Sequence, residues 1–172
     1  MNESFFSYLQ KLEIMAFFSG FPFVYALVLV ISGYLNKRPV FKTTFINLLP
    51  ISYAVVGVLF LGLQLKKLYP DYSFNNISAE IQNPFLAIWG ILSIIFFLPF
   101  FRKRIFLCLM HSLVFFFLVI KNIFLSQNGS NPDNSIVKNS MNVYTSSLTL
   151  NLAVLIILLI VVIVIRFIKR KA

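Results

Sequence analysis

Charged residues are scarce in this 172-residue chain, and acidic ones are the scarcest. Asp and Glu together number 5 against 15 Lys and Arg, and charged residues make up only 12% of the chain. Hydrophobic residues make up 59%, with a mean hydropathy of +0.89. Soluble domains have about a quarter of their residues charged. The composition therefore excludes a water-soluble fold and indicates a membrane protein.

Cysteine and histidine occur once each, as Cys108 and His111. A single cysteine excludes an internal disulfide, a multi-cysteine metal site and an iron–sulfur cluster. The sequence also contains no Walker motif or glycine-rich phosphate loop. We therefore predict no cofactor and no metal site. An energised pump is excluded unless another chain supplies the ATPase.

Long apolar runs dominate what is present. A bilayer core about 30 Å thick needs about 20 apolar helical residues. Five apolar runs approach or reach that length: 14–35, 45–65, 85–101, 105–125 and 148–165. All are uncharged except the fourth, which reaches full length only if Lys121 extends its ammonium group to the interface. Only three basic residues separate the third run from the fourth, which predicts a tight hairpin because such charges cannot lie at mid-bilayer. The sequence predicts an all-α integral membrane protein, a compact bundle of five transmembrane helices with no soluble domain.

The basic residues are divided unevenly between the two sets of loops. Ten of the 15 fall on one side of the predicted membrane and five on the other, together with all five acids. The positive-inside rule places the richer side in the cytoplasm. The N-terminus is then outside and the C-terminus cytoplasmic. The bias towards Ile, Phe, Lys and Asn is typical of bacteria, so we predict a multi-pass protein of the cytoplasmic (inner) membrane.

The excess of positive charge has a membrane interpretation. Nucleic acid would find no continuous positive surface, because the basic residues flank apolar spans, and we predict no nucleic-acid partner. Such flanks contact anionic lipid headgroups. The C-terminal cluster is the best candidate for this contact, or for an acidic partner; it comprises Arg166, Lys169, Arg170 and Lys171.

The segment 126–147 is rich in Asn and Ser around Pro132. This composition cannot bury enough apolar area to order itself. We predict a flexible outer loop that becomes ordered only on a partner.

His111 is the polar residue of most interest, because it lies one helical turn from Cys108 inside the fourth run. Three interpretations are open: an interhelical hydrogen bond, a contact to a cofactor or quinone in a complex, or catalysis together with Cys108. No charged residue lies near the middle of any run, which disfavours an ion-coupled transporter built from one copy. Asn151 is nearly the only polar residue of the fifth run and is predicted to face a neighbouring helix.

Small residues and prolines mark where helices approach or bend. Small residues in the first two runs allow close approach within the bundle or to a partner; they are Ala16, Gly20, Ala54 and Gly57. Pro22, Pro50 and Pro99 are predicted to kink their helices.

These observations favour a non-enzymatic subunit or accessory protein of a larger membrane complex, such as a secretion, transport or respiratory assembly. Its predicted partners are membrane lipids and other membrane protein chains. One alternative is a homo-oligomeric channel or facilitator. Another is an intramembrane enzyme that uses Cys108 and His111 on a lipid substrate.

Overall fold

The computed structural model describes residues 5–34, 39–70, 81, 83–127 and 134–171, and every element within them is helical. The elements are α1 (Phe5–Phe18), α2 (Phe21–Tyr34), α3 (Pro39–Lys67), α4 (Pro84–Leu92), a 3-10 helix (Ser93–Phe97), α5 (Pro99–Arg102), α6 (Ile105–Gln127) and α7 (Asn134–Lys171).

Within those ranges, four helical segments are long and apolar enough to cross a membrane: Tyr8–Tyr34, Thr43–Lys67, Ile105–Leu125 and Ser135–Lys169. The all-helical class is thereby confirmed, and the four segments indicate a multi-pass membrane protein. The third predicted span, 85–101, is a shorter apolar helix, Pro84–Phe97.

The first long segment is interrupted at Ser19 and Gly20, between α1 and α2. Pro22 lacks a backbone N–H and its ring disfavours a continuous helix through this point. The Ser19 hydroxyl donates to the Met15 carbonyl at 2.7 Å. The Gly20 N–H donates to the Ser147 hydroxyl of α7 at 2.8 Å. A polar side chain of another helix therefore satisfies a backbone donor at the break.

The other two prolines behave differently from each other. Pro99 begins α5, directly after Leu98 in an extended conformation with ψ of 135°. Pro50 instead lies inside α3, which is helical from Pro39 to Lys67. Proline thus coincides with an interruption of the helix at two of the three predicted positions.

The prediction of a flexible loop over 126–147 is wrong for the part that the structure describes. α6 continues to Gln127, and α7 begins at Asn134 and has 38 residues. Ser140, Ser147 and Asn151 are buried, and their spacing of seven and four places them on one face of a helix. That face carries small and polar side chains, and α7 packs along α1. The Asn- and Ser-rich composition of this segment did not reveal the helical spacing of its buried residues.

An aromatic core fills the centre of the bundle. The Phe18 ring stacks on Phe115 with centroids 4.9 Å apart, and it contacts the edges of Phe60 and Tyr53 at 5.4 and 5.7 Å. Gly90 of α4 lies directly against Phe60, where a Cβ would come within 2.8 Å of the Phe60 ring. Aromatic packing, with a glycine that allows α4 to approach, therefore joins helices that are distant in sequence.

Polar side chains join helices at both ends of the bundle. At one end, here the Glu13 end, the Glu13 carboxylate forms an ion pair with Lys67 and accepts from the Gln64 amide at 3.2 Å. At the opposite end, here the Arg166 end, the Arg166 guanidinium donates to the Thr44 hydroxyl at 2.7 Å. Both ends are therefore held by polar contacts between helices.

Candidate functional site: a histidine enclosed by aromatic rings

His111 of α6 lies between two polar partners from other helices. Its Nε2 is 2.8 Å from the Trp89 carbonyl of α4, and its Nδ1 is 2.7 Å from the Tyr53 hydroxyl of α3. A carbonyl oxygen only accepts, so Nε2 carries the hydrogen. In the neutral imidazole, Nδ1 then accepts a hydrogen bond from the Tyr53 hydroxyl. Both ring nitrogens are consumed by interhelical hydrogen bonds.

The Trp89 carbonyl is available because the helix changes type one turn later. The Ser93 N–H bonds to the Gly90 carbonyl, three residues back, as it does in a 3-10 helix. In a continued α-helix the same N–H would bond to the Trp89 carbonyl. The Ser93 hydroxyl also donates to the Gly90 carbonyl at 2.6 Å. The transition from α4 to the 3-10 helix thus exposes an acceptor for His111.

Trp89 and His111 bind each other in both directions. The indole lies parallel to the imidazole, with centroids 4.9 Å apart and an interplanar angle of 4°. The indole Nε1–H donates to the His111 carbonyl at 3.3 Å, while the histidine donates to the Trp89 carbonyl. Phe96 and Phe115 pack around the imidazole at 5.8 and 5.9 Å. We call these four residues, together with Tyr53, the histidine centre.

A cleft of about 480 Å³ opens beside the histidine centre, between α6 and the segment from α4 to α5. Its walls are almost wholly apolar, with Leu92, Met110 and Val114 beside Trp89 and His111. His111 offers no unbonded ring nitrogen to this cleft. The cleft can therefore accommodate hydrocarbon but supplies little polar recognition.

Cys108 is fully buried one helical turn before His111. The two nitrogens of His111 are directed at Tyr53 and Trp89, so neither activates the thiol. No group of three or more His, Cys, Asp or Glu side chains capable of holding a metal ion occurs in the part of the chain that the structure describes.

Asn151 and Gly20 meet where α7 crosses the break between α1 and α2. The Asn151 amide donates to the Phe17 carbonyl of α1 and to the Ser147 carbonyl, each at 2.8 Å. Gly20 is buried, and a Cβ there would overlap the backbone of Leu148. A glycine and an asparagine from distant runs therefore build one interhelical contact.

The remaining predicted residues are dispersed. Ala54 is buried in the core, Ala16 is half-buried, and Gly57 lies against the Ser93 side chain. Of the C-terminal cluster, Arg166 contacts α3, Lys169 is exposed, and Arg170 and Lys171 lie in the last turn of α7.

Sequence reasoning missed Tyr53 and Trp89 as the partners of His111. The available signal was their chemistry, since each is an aromatic residue with one hydrogen-bonding group inside an apolar run. Sequence separations of 58 and 22 residues gave no indication of the pairing.

Comparison with known proteins does not assign a function to this site. No protein family, curated protein or solved structure matches the chain.

Proposed function

We propose that the protein is a non-enzymatic subunit or accessory protein of a larger membrane complex, and that it acts by associating with other membrane chains. The uncovered face of the second half of α7 is the observation that carries the proposal. The arrangement of the histidine centre gives separate support.

The second half of α7 contacts the bundle on one side only, where Leu158, Leu159 and Val162 pack against the core. The large apolar side chains on its other side are between 45% and 60% exposed; they are Ile156, Ile157, Ile160, Val161, Ile163, Val164, Ile165, Phe167 and Ile168. Only 17% of the most apolar window of this segment is buried, against 22% for Ile105–Leu125, 44% for Tyr8–Tyr34 and 50% for Thr43–Lys67. Within a membrane such a face is covered either by lipid or by a helix of another chain, and the proposal assigns it to a helix of another chain.

The histidine centre supports a non-catalytic role. A nucleophile or general base needs an unbonded atom that can reach the reacting group. Both nitrogens of His111 are hydrogen-bonded, and its ring is covered by Trp89. The polar groups that chemistry would need are used to join α3, α4 and α6.

The association is tested by affinity purification of the tagged protein from its native membrane in mild detergent, followed by mass spectrometry of the intact assembly. We expect stoichiometric recovery of other membrane chains. The double variant Ile160→Trp with Val164→Trp should reduce that recovery severalfold, because bulky rings disrupt close helix packing. The matched control places the same rings on an exposed face of α2, as Phe23→Trp with Val30→Trp, and should retain the partners.

Other outcomes would overturn the proposal. Recovery of the protein as a monomer would contradict its association with other chains. Equal loss of partner chains in both double variants would contradict the role of α7. Recovery as a closed homo-oligomer that conducts ions or solute in liposomes would establish the channel alternative. Catalytic turnover of a lipid substrate that is abolished by His111→Gln would establish the enzyme alternative.

We further propose that the chain crosses the membrane five times, with the N-terminus outside and the C-terminus in the cytoplasm of a bacterial inner membrane. The placement of the short segment between α3 and α6 supports the count. At its start, the Asn83 N–H donates to the Gln10 side chain at 2.8 Å, near the Glu13 end. At its close, Arg102 lines a pocket with Arg166. Extended backbone at Leu98 lets this short helical segment reach both ends.

The topology is tested with single cysteines introduced into a Cys108→Ala background. Tyr69, Lys103 and Lys138 are exposed, so a membrane-impermeant thiol reagent can reach each position. We expect labelling of Tyr69→Cys and Lys138→Cys from outside and of Lys103→Cys only from the cytoplasm. Labelling of Tyr69→Cys and Lys103→Cys from the same side would contradict five crossings, and the fully reversed pattern would contradict the orientation.

A further inference from the structure

A second pocket, of about 430 Å³, lies at the Arg166 end between α3, α5 and α7. Its polar wall comes from Thr43, Thr44 and Asn47 of α3, together with Arg102 and Arg166. The hydrogen bond from Arg166 to Thr44 holds one guanidinium against α3. Two arginines distant in sequence therefore converge on a single concavity.

Among the residues that the structure describes, no carboxylate lines this pocket. Glu13 is the only acidic side chain in the described ranges, and it is paired with Lys67 at the other end of α3. From Thr44 to Lys67 the helix axis rises about 35 Å at 1.5 Å per residue. At such a distance the carboxylate does not neutralise either arginine, because ions screen exposed charges over about 8 to 10 Å.

Two converging arginines that meet no acidic side chain of the described ranges fit an anion with several oxygens. A guanidinium presents its N–H groups as a planar fork that binds a phosphate through two parallel hydrogen bonds. Threonine hydroxyls and an asparagine amide add further donors. Leu48 and Val162 form an apolar part of the wall, which suits the hydrocarbon adjoining a lipid phosphate.

We propose that this pocket binds a phosphate group, with Arg102 and Arg166 as its principal ligands and Thr44 and Asn47 beside them. The phosphate belongs either to an anionic phospholipid of the adjacent leaflet or to free orthophosphate. The site does not depend on the accessory role proposed above.

Lipid retention is the first measurement. The purified protein is exchanged into micelles that contain phosphatidylglycerol and an excess of phosphatidylcholine, and native mass spectrometry counts the lipids retained. We expect one phosphatidylglycerol to be retained preferentially. Hydrogen bonds to charged groups contribute enough that Arg102→Gln or Arg166→Gln should each weaken retention about tenfold. Arg166→Lys keeps the charge but loses the fork, and should weaken it less.

The matched control is the double variant Lys103→Gln with Lys169→Gln. It removes two exposed positive charges from the same end of the bundle, outside the pocket. The proposal is supported if this control retains phosphatidylglycerol within about twofold of wild type while the double variant Arg102→Gln with Arg166→Gln loses that retention. Equal loss in both pairs, or no loss in either, overturns it. Size-exclusion chromatography confirms that each variant remains folded.

Orthophosphate distinguishes the two sources of the group. In nanodiscs of phosphatidylcholine alone, millimolar sodium phosphate should raise the melting temperature of wild type only if the site accepts the free ion. Protection by phosphate that is lost in Arg102→Gln with Arg166→Gln assigns orthophosphate as a ligand. Protection by phosphatidylglycerol nanodiscs alone assigns the lipid. Absence of protection by either overturns the proposal.

Discussion

Replacement of Gly20 by alanine is expected to destabilise the bundle by about 2–3 kcal/mol, a typical cost of inserting a group where no space exists. The added Cβ would overlap the backbone of Leu148, and a backbone cannot rotate away as a side chain can. To relieve this overlap, α7 must move away from the break between α1 and α2. That movement would also lengthen the bonds from Gly20 to Ser147 and from Asn151 to Phe17.

The measurement is the fraction of protein that remains monodisperse by size-exclusion chromatography after heating in detergent. Gly62→Ala is the matched control, since no atom lies within 4 Å of a Cβ built there. Alanine favours a helix over glycine by up to about 1 kcal/mol, so this control should be neutral or more stable. A Gly20→Ala protein as stable as Gly62→Ala would show that α7 is not in contact at this point.

Replacement of His111 by alanine is expected to cost about 3–5 kcal/mol, a value that combines a core cavity with lost hydrogen bonds. The change leaves the Tyr53 hydroxyl and the Trp89 carbonyl without their partner, and it removes the surface on which the indole stacks. Since α3, α4 and α6 meet at this residue, the loss should loosen α4 first. Limited proteolysis near residues 81–83, together with heating as above, measures both effects.

Two further variants separate the hydrogen bonds from the cavity. Tyr53→Phe keeps the ring and removes one donor, and should cost about 1 kcal/mol, the usual net contribution of a hydrogen bond. In a double-mutant cycle with His111→Ala the two losses should be non-additive, because the residues are in contact. Met110→Ala is the neighbouring control, since Met110 is 48% exposed. Equal destabilisation by Met110→Ala and His111→Ala would contradict the assigned role of the histidine centre.

Hydropathy was sufficient to locate the long apolar helices, because the length of a membrane span is set by the bilayer. It failed at 134–147, where composition favoured a loop, whereas Ser140 and Ser147 are buried on a helix that packs along α1. It also did not anticipate that the run 85–101 ends its first helix in a 3-10 turn. That change of helix type is tied to a tertiary contact, the bond from His111 to the Trp89 carbonyl.

Some residues of the candidate sites could be identified from the sequence, but their contacts could not. His111 and Asn151 were identifiable as isolated polar residues in apolar runs, which lower the free energy by finding partners on other helices. Their partners were not identifiable, because the rotation of each helix about its axis is fixed only by packing. The pocket of Arg102 and Arg166 was hidden for a related reason. Antiparallel helices bring both residues to one end of the bundle, but their side chains share a concavity only at one particular set of helix rotations.

The chain contains one tryptophan and one histidine, and the structure stacks them on each other. Intrinsic fluorescence of this protein therefore arises near the residue that joins α3, α4 and α6, with no label and no competing tryptophan. Separation of α4 from α6 would change the surroundings of the indole, and the wavelength and intensity of its emission would follow. The native protein thus carries an optical reporter of its own helix contacts, which can be read in detergent, in nanodiscs or in whole membranes enriched in the protein.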